Sequence, residues 1–180
     1  MARHIERPVV PVPDDKDWTW VLLRSCPDCG YDASSVDGRS LADRILSTTP
    51  RWRTALAAAE VRRRPAPQVW SPLEYGAHVR DVHALFGRRA RLMLAQDDPE
   101  FENWDQDETA LTGRYWLADP AEVAQELDAA AVRTAGVFRA AVADQWQCTG
   151  RRSNGSVFTL ETLGRYYLHD VEHHLHDVGH

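Results

Sequence analysis

The sequence has few cysteines and no long apolar segment. Three cysteines among 180 residues do not make a disulfide framework, so the fold depends on its hydrophobic core. No apolar run approaches the roughly 20 residues that a membrane-spanning helix needs. The N-terminus also lacks an apolar stretch followed by small residues. We therefore predict a cytoplasmic protein with no signal peptide and no membrane segment.

Several chemical signatures are missing as well. The formal net charge is −6, and no basic stripe carries interleaved aromatic residues, so the sequence predicts no nucleic-acid partner. The short arginine-rich runs at 62–64 and 88–91 are typical of solvated helix faces. There is no Gly-rich phosphate loop and no Gly-x-Ser-x-Gly elbow. The residues themselves therefore assign no organic cofactor and no catalytic nucleophile.

What the sequence does contain favours a helical domain. The apolar fraction is 43% and the charged fraction is 27%, which is ordinary for one globular domain. Residues 1–37 are predicted to be an irregular N-terminal strap with a Cys-x-x-Cys turn. Residues 38–180 are predicted to form an all-α four-helix bundle, because four long segments carry helical signals and strand signals are weak.

Each predicted helix begins with a residue that favours an N-terminal cap. The first helix is expected to begin at Pro50 and to run to Arg64, and the second combines its cap with Glu74 in a capping box. The segments 97–109 and 148–158 are predicted to be loops. The predicted caps are Thr49, Ser71, Asp119 and Thr159.

Histidine is the compositional anomaly, since four of the eight histidines fall within residues 168–178. An α-helix turns about 100° per residue, which sorts these side chains by face. His78 falls inside the apolar stripe of the second helix, whereas His83 is expected to be exposed. On the last helix, Asp170 and His174 lie four residues apart at the edge of the apolar stripe, so both can bind one ion.

We therefore predict a divalent metal held by His78, Asp170 and His174. Two imidazoles and one carboxylate would leave coordination positions open, as in catalytic zinc or non-haem iron sites. Two alternatives stay open. In the first, His78 is a core histidine that bonds to a carbonyl or to Glu74. In the second, a buried Asp–His hydrogen bond exists without a metal.

A second histidine pair, His169 and His173, has the same spacing on the last helix. It falls roughly opposite the apolar stripe, so a solvated, titratable surface is expected there. The rotational position of a residue on a predicted helix is commonly wrong by one residue. This pair therefore remains the second choice for the last-helix ligands.

Cys26 and Cys29 form a further candidate site. A redox pair would require a lowered thiol pKa. A zinc clip would require Cys148 or a histidine, because a closed zinc site takes four ligands and the sequence has no second Cys-x-x-Cys. The third interpretation is a structural turn with two reduced thiols.

Three stretches resemble the DinB-like superfamily: WSPLEYGAHVRDV, FENWDQDETA and GRRSNGSVFTLETLGRYYLHDVEHHLHDV. The resemblance extends over residues 40–178 and implies a four-helix bundle with a divalent metal between the helices. Members include thiol transferases that use bacillithiol or mycothiol, and mycothiol-dependent maleylpyruvate isomerases. Such bundles commonly dimerise, so the resemblance also implies a homodimer.

The resemblance implies a ligand set as well. Typical members use three histidines, one on the second helix and two at a spacing of four on the last helix. These positions match His78, Asp170 and His174, with aspartate where histidine is usual. Shifting the match by one residue gives His169 and His173 instead. An aspartate ligand would make the ion less electrophilic and would favour harder metals.

The implied function is a metal-dependent thiol S-transferase or isomerase. Its partners would be a small-molecule thiol and an electrophilic substrate, and its cofactor a divalent metal, zinc first, with nickel and iron as alternatives. Two other functions stay open: a non-enzymatic small-molecule-binding or stress-related bundle, and a redox or metal sensor that uses Cys26 and Cys29. The candidates for substrate contacts are His173, Tyr167, Trp104 and Asp105.

Overall fold

The computed structural model describes residues 8–11 and 17–180 of the chain, and residues 1–7 and 12–16 of the predicted strap lie outside the described part. The described residues contain five α-helices and three short strands. The helices are α1 (Leu41–Leu56), α2 (Pro72–Ala95), α3 (Gln106–Thr112), α4 (Pro120–Ala140) and α5 (Leu160–Asp177). The strands are β1 (Glu100–Phe101), β2 (Thr149–Arg152) and β3 (Val157–Thr159).

The four longer helices pack as a bundle, which confirms the predicted all-α architecture. α2 packs most extensively on α4 and also contacts α5, while α1 contacts α4 and α5. Large side chains without solvent exposure fill the space between them, including Trp52, Leu73, Leu127 and Tyr167. Within the described residues, no helix combines the length and the apolar composition needed to cross a membrane.

Three of the four predicted caps are observed. The Ser71 hydroxyl accepts from the Glu74 N–H, and the Glu74 carboxylate accepts from the Ser71 N–H, which is a complete capping box. The Asp119 carboxylate accepts from two backbone N–H groups of the first turn of α4. Thr159 caps α5 in the same way by accepting from Thr162.

The predicted start and end of the first helix are wrong. α1 begins at Leu41 and ends at Leu56, so Pro50 lies inside it. A proline lacks the N–H that would bond to the carbonyl four residues earlier, here that of Leu46. The Thr49 hydroxyl donates to that carbonyl at 3.1 Å, which satisfies the free acceptor within the helix. The helix therefore passes through a residue that normally marks a helix start.

The two predicted loops contain regular structure. β2 and β3 form an antiparallel hairpin, and Gly155 occupies its turn with a φ of +94°. β1 adds to β2 in parallel, so the three strands form one small sheet. α3 follows β1, with Asp105 as its N-cap. The sequence signals for these elements are weak because the elements are only two to seven residues long.

The strap packs directly on α5. It contains two short 3-10 turns, at Trp18–Leu22 and Ala33–Ser35, a third follows it at Gly38–Ser40, and each of the three contacts α5. The Tyr31 hydroxyl donates to the Arg165 carbonyl at 2.8 Å. Strap residues belong to the same hydrophobic core as the helices. The division of the chain at residues 37 and 38 stays a prediction.

Candidate metal centre

The three predicted ligands lie together between α2 and α5. The Nε2 atom of His78 lies 3.3 Å from Oδ1 of Asp170, and Nε2 of His174 lies 3.6 Å from the same oxygen. One ligand atom from each of the three residues lies within 4.8 Å of the other two. We call this group the triad. The structure brings these residues together as the sequence predicts, and their binding of a metal stays a prediction.

The protonation states in the triad suit a cation. Burial lowers the pKa of His78, although its hydrogen bond to Asp170 acts in the opposite direction. Burial alone would raise the pKa of Asp170, but the hydrogen bond to His78 and the neighbouring imidazoles lower it to about 2. At neutral pH the imidazole of His78 is therefore uncharged and Asp170 is an anion. Metal ligands need these states.

Aromatic rings and a second carboxylate fix the triad in place. His78 is stacked on Trp104, with ring centroids 5.4 Å apart, and contacts Trp70 on another side at 5.2 Å. The Nδ1 atom of His174 lies 2.8 Å from Oδ2 of Asp177. A hydrogen bond at the far nitrogen fixes the ring tautomer, so the Nε2 atom of His174 is directed toward Asp170.

A cavity of about 570 Å³ lies beside the triad. The side chains of Asp170 and His174 are 25% and 19% exposed, and both line the cavity, whereas His78 is fully buried. A metal in the triad would therefore have its open positions on the cavity side. Further lining residues are Asp17, Trp18, Trp70, Tyr75, Leu85, Phe86, Arg89, Asn103, Trp104, Asp105, Asp107, Arg152, Tyr166, His169, His173 and Asp177.

A family model described as the DinB superfamily matches residues 19–178 of the chain. The chain belongs to the DinB superfamily. Among solved structures it is similar to YfiT from Bacillus subtilis, which is described as a probable metal-dependent hydrolase with an unusual four-helix bundle topology. That likeness has a TM-score of 0.70 at 17% sequence identity, and it covers 80% of this chain and 88% of YfiT. Among curated proteins, no sequence matches this chain.

Membership of the DinB superfamily confirms the resemblance that the three quoted stretches carry. The similarity to YfiT supports the same fold, and the identity is too low to transfer a substrate. In this DinB-superfamily chain the last helix presents an aspartate, Asp170, next to the second-helix histidine His78. Asp170 is therefore placed to bind a cation as one of three ligands.

The prediction that His83 is exposed is wrong, because its side chain is fully buried. α2 lies between α4 and α5, so the helix has two buried sides rather than one. The Thr134 hydroxyl of α4 donates to the His83 carbonyl at 2.7 Å, and Nδ1 of His83 is hydrogen-bonded to the Tyr167 hydroxyl. Burial lowers the pKa of His83 to about 3, so the ring is neutral at physiological pH.

The prediction that His169 and His173 form a solvated surface is also wrong. His169 is 4% exposed and the side chain of His173 is 14% exposed. Trp18 of the strap lies over both rings, with centroid distances of 5.6 and 5.2 Å. A helical wheel identifies the face that meets other helices, whereas a strap without a periodic pattern can cover another face. The wheel therefore missed this contact.

The two strap cysteines lie beside this histidine pair. Sγ of Cys26 is 3.7 Å from Nδ1 of His173. One ligand atom from each of the four residues lies within 4.8 Å of the other three. We call this group the Cys–His cluster; its members are Cys26, Cys29, His169 and His173. Cys148, the other candidate for a zinc clip, lies before β2 and is not one of the four.

The predicted substrate contacts separate into two groups. His173, Trp104 and Asp105 line the cavity. Tyr167 has no solvent exposure, and its hydroxyl bonds to His83 in the core of the bundle. Tyr167 is therefore a core residue, and sequence reasoning missed two tyrosines that line the cavity, Tyr75 and its own neighbour Tyr166. Adjacent residues on a helix differ by about 100° in direction, so one position separates core from cavity.

Proposed function

We propose that this chain is a metal-dependent thiol S-transferase or isomerase that acts on a small electrophile. The observation that supports this is a neutral imidazole, an anionic carboxylate and a second imidazole at the edge of a cavity of about 570 Å³. The proposed cofactor is zinc, with nickel and iron as alternatives, because imidazole ligands suit all three metals. YfiT, which shares the fold, is described as probably metal-dependent.

When bound, a divalent cation in the triad would supply a Lewis acid that stabilises a small thiol as its thiolate. The thiol loses its proton to solvent water in the cavity, and the thiolate sulfur forms a bond to an electrophilic carbon. In a transfer reaction the leaving group departs with the electrons of its bond. In an isomerisation the sulfur adds to a double bond, the carbon–carbon bond rotates, and the thiolate leaves again.

The chain's own side chains shape this chemistry by excluding water from part of the site. Trp70 and Trp104 contact the ring of His78 and also line the cavity. Asp177 holds the far nitrogen of His174, so the ring keeps its direction toward Asp170. Triad atoms are therefore accessible from the cavity side through Asp170 and His174 alone.

One part of the cavity lining favours a substrate with an anionic group, although the carboxylates of Asp17, Asp105, Asp107, Asp170 and Asp177 also line the cavity. Arg89 and Arg152 both line it, and no carboxylate forms an ion pair with either guanidinium among the residues that the structure describes. Burial, and then the neighbouring Arg152, lower the pKa of Arg89 to about 10, so Arg89 stays charged at neutral pH. A carboxylate on the thiol or on the electrophile would compensate these charges through paired hydrogen bonds.

The test uses the full-length chain loaded with zinc and an electrophile that reports thiol addition, such as monochlorobimane. We expect conjugation with a small carboxylated thiol to exceed the uncatalysed rate, and a chelator to remove the excess. His78→Ala should abolish the excess because it removes a buried ligand. His176→Ala is the matched control, since His176 is an exposed histidine at the end of α5.

A rate that stays at the uncatalysed level with every thiol and metal tried would contradict the proposal. It would then favour the non-enzymatic binding bundle. A second candidate function, metal-dependent hydrolysis, is favoured by the description of YfiT. It predicts cleavage of an ester or amide without any thiol, so the same protein assayed with and without thiol separates the two reactions.

A homodimer is part of the proposal as well, on the basis of the family resemblance. Light scattering of the purified chain should give twice the mass of 20.4 kDa. A monomer at all concentrations would remove this part and leave the proposed chemistry untouched, because all three ligands come from one chain.

A further inference from the structure

We propose that the Cys–His cluster is a second cation site, a closed tetrahedral zinc site that fastens the strap to the last helix of the bundle. It is separate from the triad and does not depend on the proposed enzymatic function. Cys26 and Cys29 come from the strap, and His169 and His173 come from α5. Two sulfur and two nitrogen ligands in a tetrahedral arrangement are typical of structural zinc.

The distances fit a zinc ion. With Zn–S near 2.3 Å and Zn–N near 2.0 Å, the edges of a tetrahedral site are about 3.3 to 3.8 Å long. The four ligand atoms lie within 4.8 Å of one another, and Sγ of Cys26 is 3.7 Å from Nδ1 of His173. Closure around an ion requires movements of about an ångström, which rotation of cysteine and histidine side chains can supply.

The backbone of the strap presents both sulfurs on one side of a tight turn. The Gly30 N–H donates to the Cys26 carbonyl at 2.9 Å, and the Cys26 N–H donates to the Tyr31 carbonyl at 2.8 Å. Gly30 has a φ of +75°, a conformation that side chains disfavour, so glycine is suited to this position. Cys26 is 1% exposed and belongs to the hydrophobic core, which leaves its thiol facing the protein.

One of the two imidazoles that the helix supplies has a buried nitrogen without a hydrogen-bond partner. His169 is 4% exposed, and no hydrogen-bond partner reaches its Nε2 atom within the described part of the chain. A buried ring nitrogen without a partner is costly, and a metal bond would satisfy it. Trp18 and Tyr31 pack on the same ring, at centroid distances of 5.6 and 5.4 Å, and shield it from water.

His173 has the orientation of a metal ligand supported by a carboxylate. Its Nδ1 atom faces Cys26, while its Nε2 atom lies 3.8 Å from Oδ1 of Asp177. Metal-bound histidines commonly direct their other nitrogen to a carboxylate. The other oxygen of Asp177 lies 2.8 Å from Nδ1 of His174. One carboxylate therefore contacts the outer nitrogen of a histidine in each of the two proposed sites.

The alternative of a redox-active cysteine pair fits the structure less well. A reactive pair requires a thiol that ionises readily. Reactive cysteines lie in partly exposed surroundings, whereas Cys26 is 1% exposed and its Sγ faces Nδ1 of His173 at 3.7 Å. The cysteine pair is therefore directed toward the imidazoles of α5, as metal ligands would be.

The proposed site explains how one helix serves two purposes. His169 and His173 face the strap, whereas Asp170 and His174, one position further along, face α2, and all four residues also line the cavity. Zinc in the Cys–His cluster would fix Trp18 against α5, and Trp18 also lines the cavity. Zinc in the Cys–His cluster would therefore fix the position of Trp18, one of the residues that line the cavity beside the triad.

The experiment measures zinc content and zinc ligands in the full-length chain purified with reductant and zinc. We expect two zinc equivalents in the unaltered protein, one in His78→Ala and one in Cys26→Ser/Cys29→Ser. Cys148→Ser is the matched control and should keep both equivalents. X-ray absorption of His78→Ala should show two sulfur and two nitrogen neighbours, since its remaining zinc lies in the Cys–His cluster.

The possible outcomes distinguish a failure of the proposed Cys–His zinc site from a failure of the proposed metal site in the triad. One equivalent with sulfur neighbours, unaffected by His78→Ala, would support the Cys–His cluster and contradict a zinc-loaded triad. Zinc with no sulfur neighbours would overturn the proposal, as would a Cys26–Cys29 disulfide in zinc-treated, reduced protein. If the double cysteine variant does not fold, the absorption spectrum of His78→Ala decides alone.

Discussion

Asp170 occupies the position at which the resemblance to the family implies a histidine ligand. Its carboxylate contacts His78 at 3.3 Å and faces His174 at 3.6 Å. The proximity of these three side chains agrees with the helical phase and the spacing of four in the sequence, and their role as metal ligands stays a prediction. The sequence wrongly predicted that His83 and the pair His169 and His173 are exposed. Their burial depends on α4 and on the strap rather than on their own helix.

Asp170→His should restore the three-histidine set and retain a metal. Because imidazole is a softer ligand than carboxylate, we expect zinc affinity to rise relative to manganese affinity. Competitive titration of chelator-treated protein measures the ratio. Glu172→His is the control, since Glu172 bonds to Arg44 at 2.9 Å, away from the triad. Loss of all metal from Asp170→His would contradict the assignment of this position as a ligand.

Arg152→Gln should weaken the binding of an anionic substrate. The change removes one of two guanidiniums that line the cavity, and a charge-assisted hydrogen bond contributes enough to raise KM about tenfold. We expect kcat to change little and an uncharged substrate to be unaffected. Arg151→Gln is the matched control, because Arg151 pairs with Asp98 on the exposed side of β2. Equal effects of both variants would count against an anionic subsite.

Glu74→Gln should destabilise the fold by about 3 kcal/mol at pH 7, because it breaks a buried ion pair with Arg64. Burial raises the pKa of Glu74, but the bonds from Arg64 and Ser71 lower it overall, below 4.5. The charged carboxylate therefore stabilises the fold above its unfolded pKa, and this contribution is lost as the pH falls through the folded pKa.

Urea unfolding in chelator measures this difference between the unaltered chain and Glu74→Gln from pH 7 to pH 3. The difference should be constant near neutrality and should shrink in the acidic part of the range. Glu60→Gln, which alters the exposed pair of Glu60 with Arg63, should change stability little at any pH. A difference that grows toward low pH would contradict the sign of the pKa change.

At the scale of the elements, three of the four predicted capping residues marked helix starts correctly, and Thr49 did not. Ser71, Asp119 and Thr159 begin helices as predicted, because each side-chain oxygen bonds to N–H groups that the first turn leaves free. The start of α1 and the small sheet were not predictable in the same way. Leu41 follows a 3-10 turn with no side-chain cap, and the strands are two to four residues long.

Gly87→Ala should weaken the packing of α2 on α4. A Cβ at this position would overlap Oγ1 of Thr134, whose hydroxyl bonds to the carbonyl of His83. We expect a loss of about 1 to 3 kcal/mol, the usual cost of overpacking a core. Gly136→Ala is the matched control on α4, where a Cβ meets no atom within 4 Å. It should be neutral or stabilising by about 1 kcal/mol. Thermal unfolding of both variants decides, and equal stability would contradict this packing.

At the scale of the whole molecule, α5 connects every functional feature. One of its sides belongs to the bundle core, another contributes Asp170 and His174 to the cavity, and a third meets the strap. The fold class and the family were predictable from sequence periodicity and the quoted motifs, and the proximity of the triad residues was predictable from helical phase. The burial of the Cys–His cluster was not, because the strap has no periodic pattern that shows which helix it covers.

The most direct test of the central claim is anomalous diffraction at the zinc edge from crystals of the full-length, zinc-loaded protein. We predict a peak between Nε2 of His78, a carboxylate oxygen of Asp170 and a ring nitrogen of His174, at distances of about 2.0 to 2.2 Å. An open coordination position should face the cavity. A fully loaded crystal with no anomalous peak between these three residues would contradict the account.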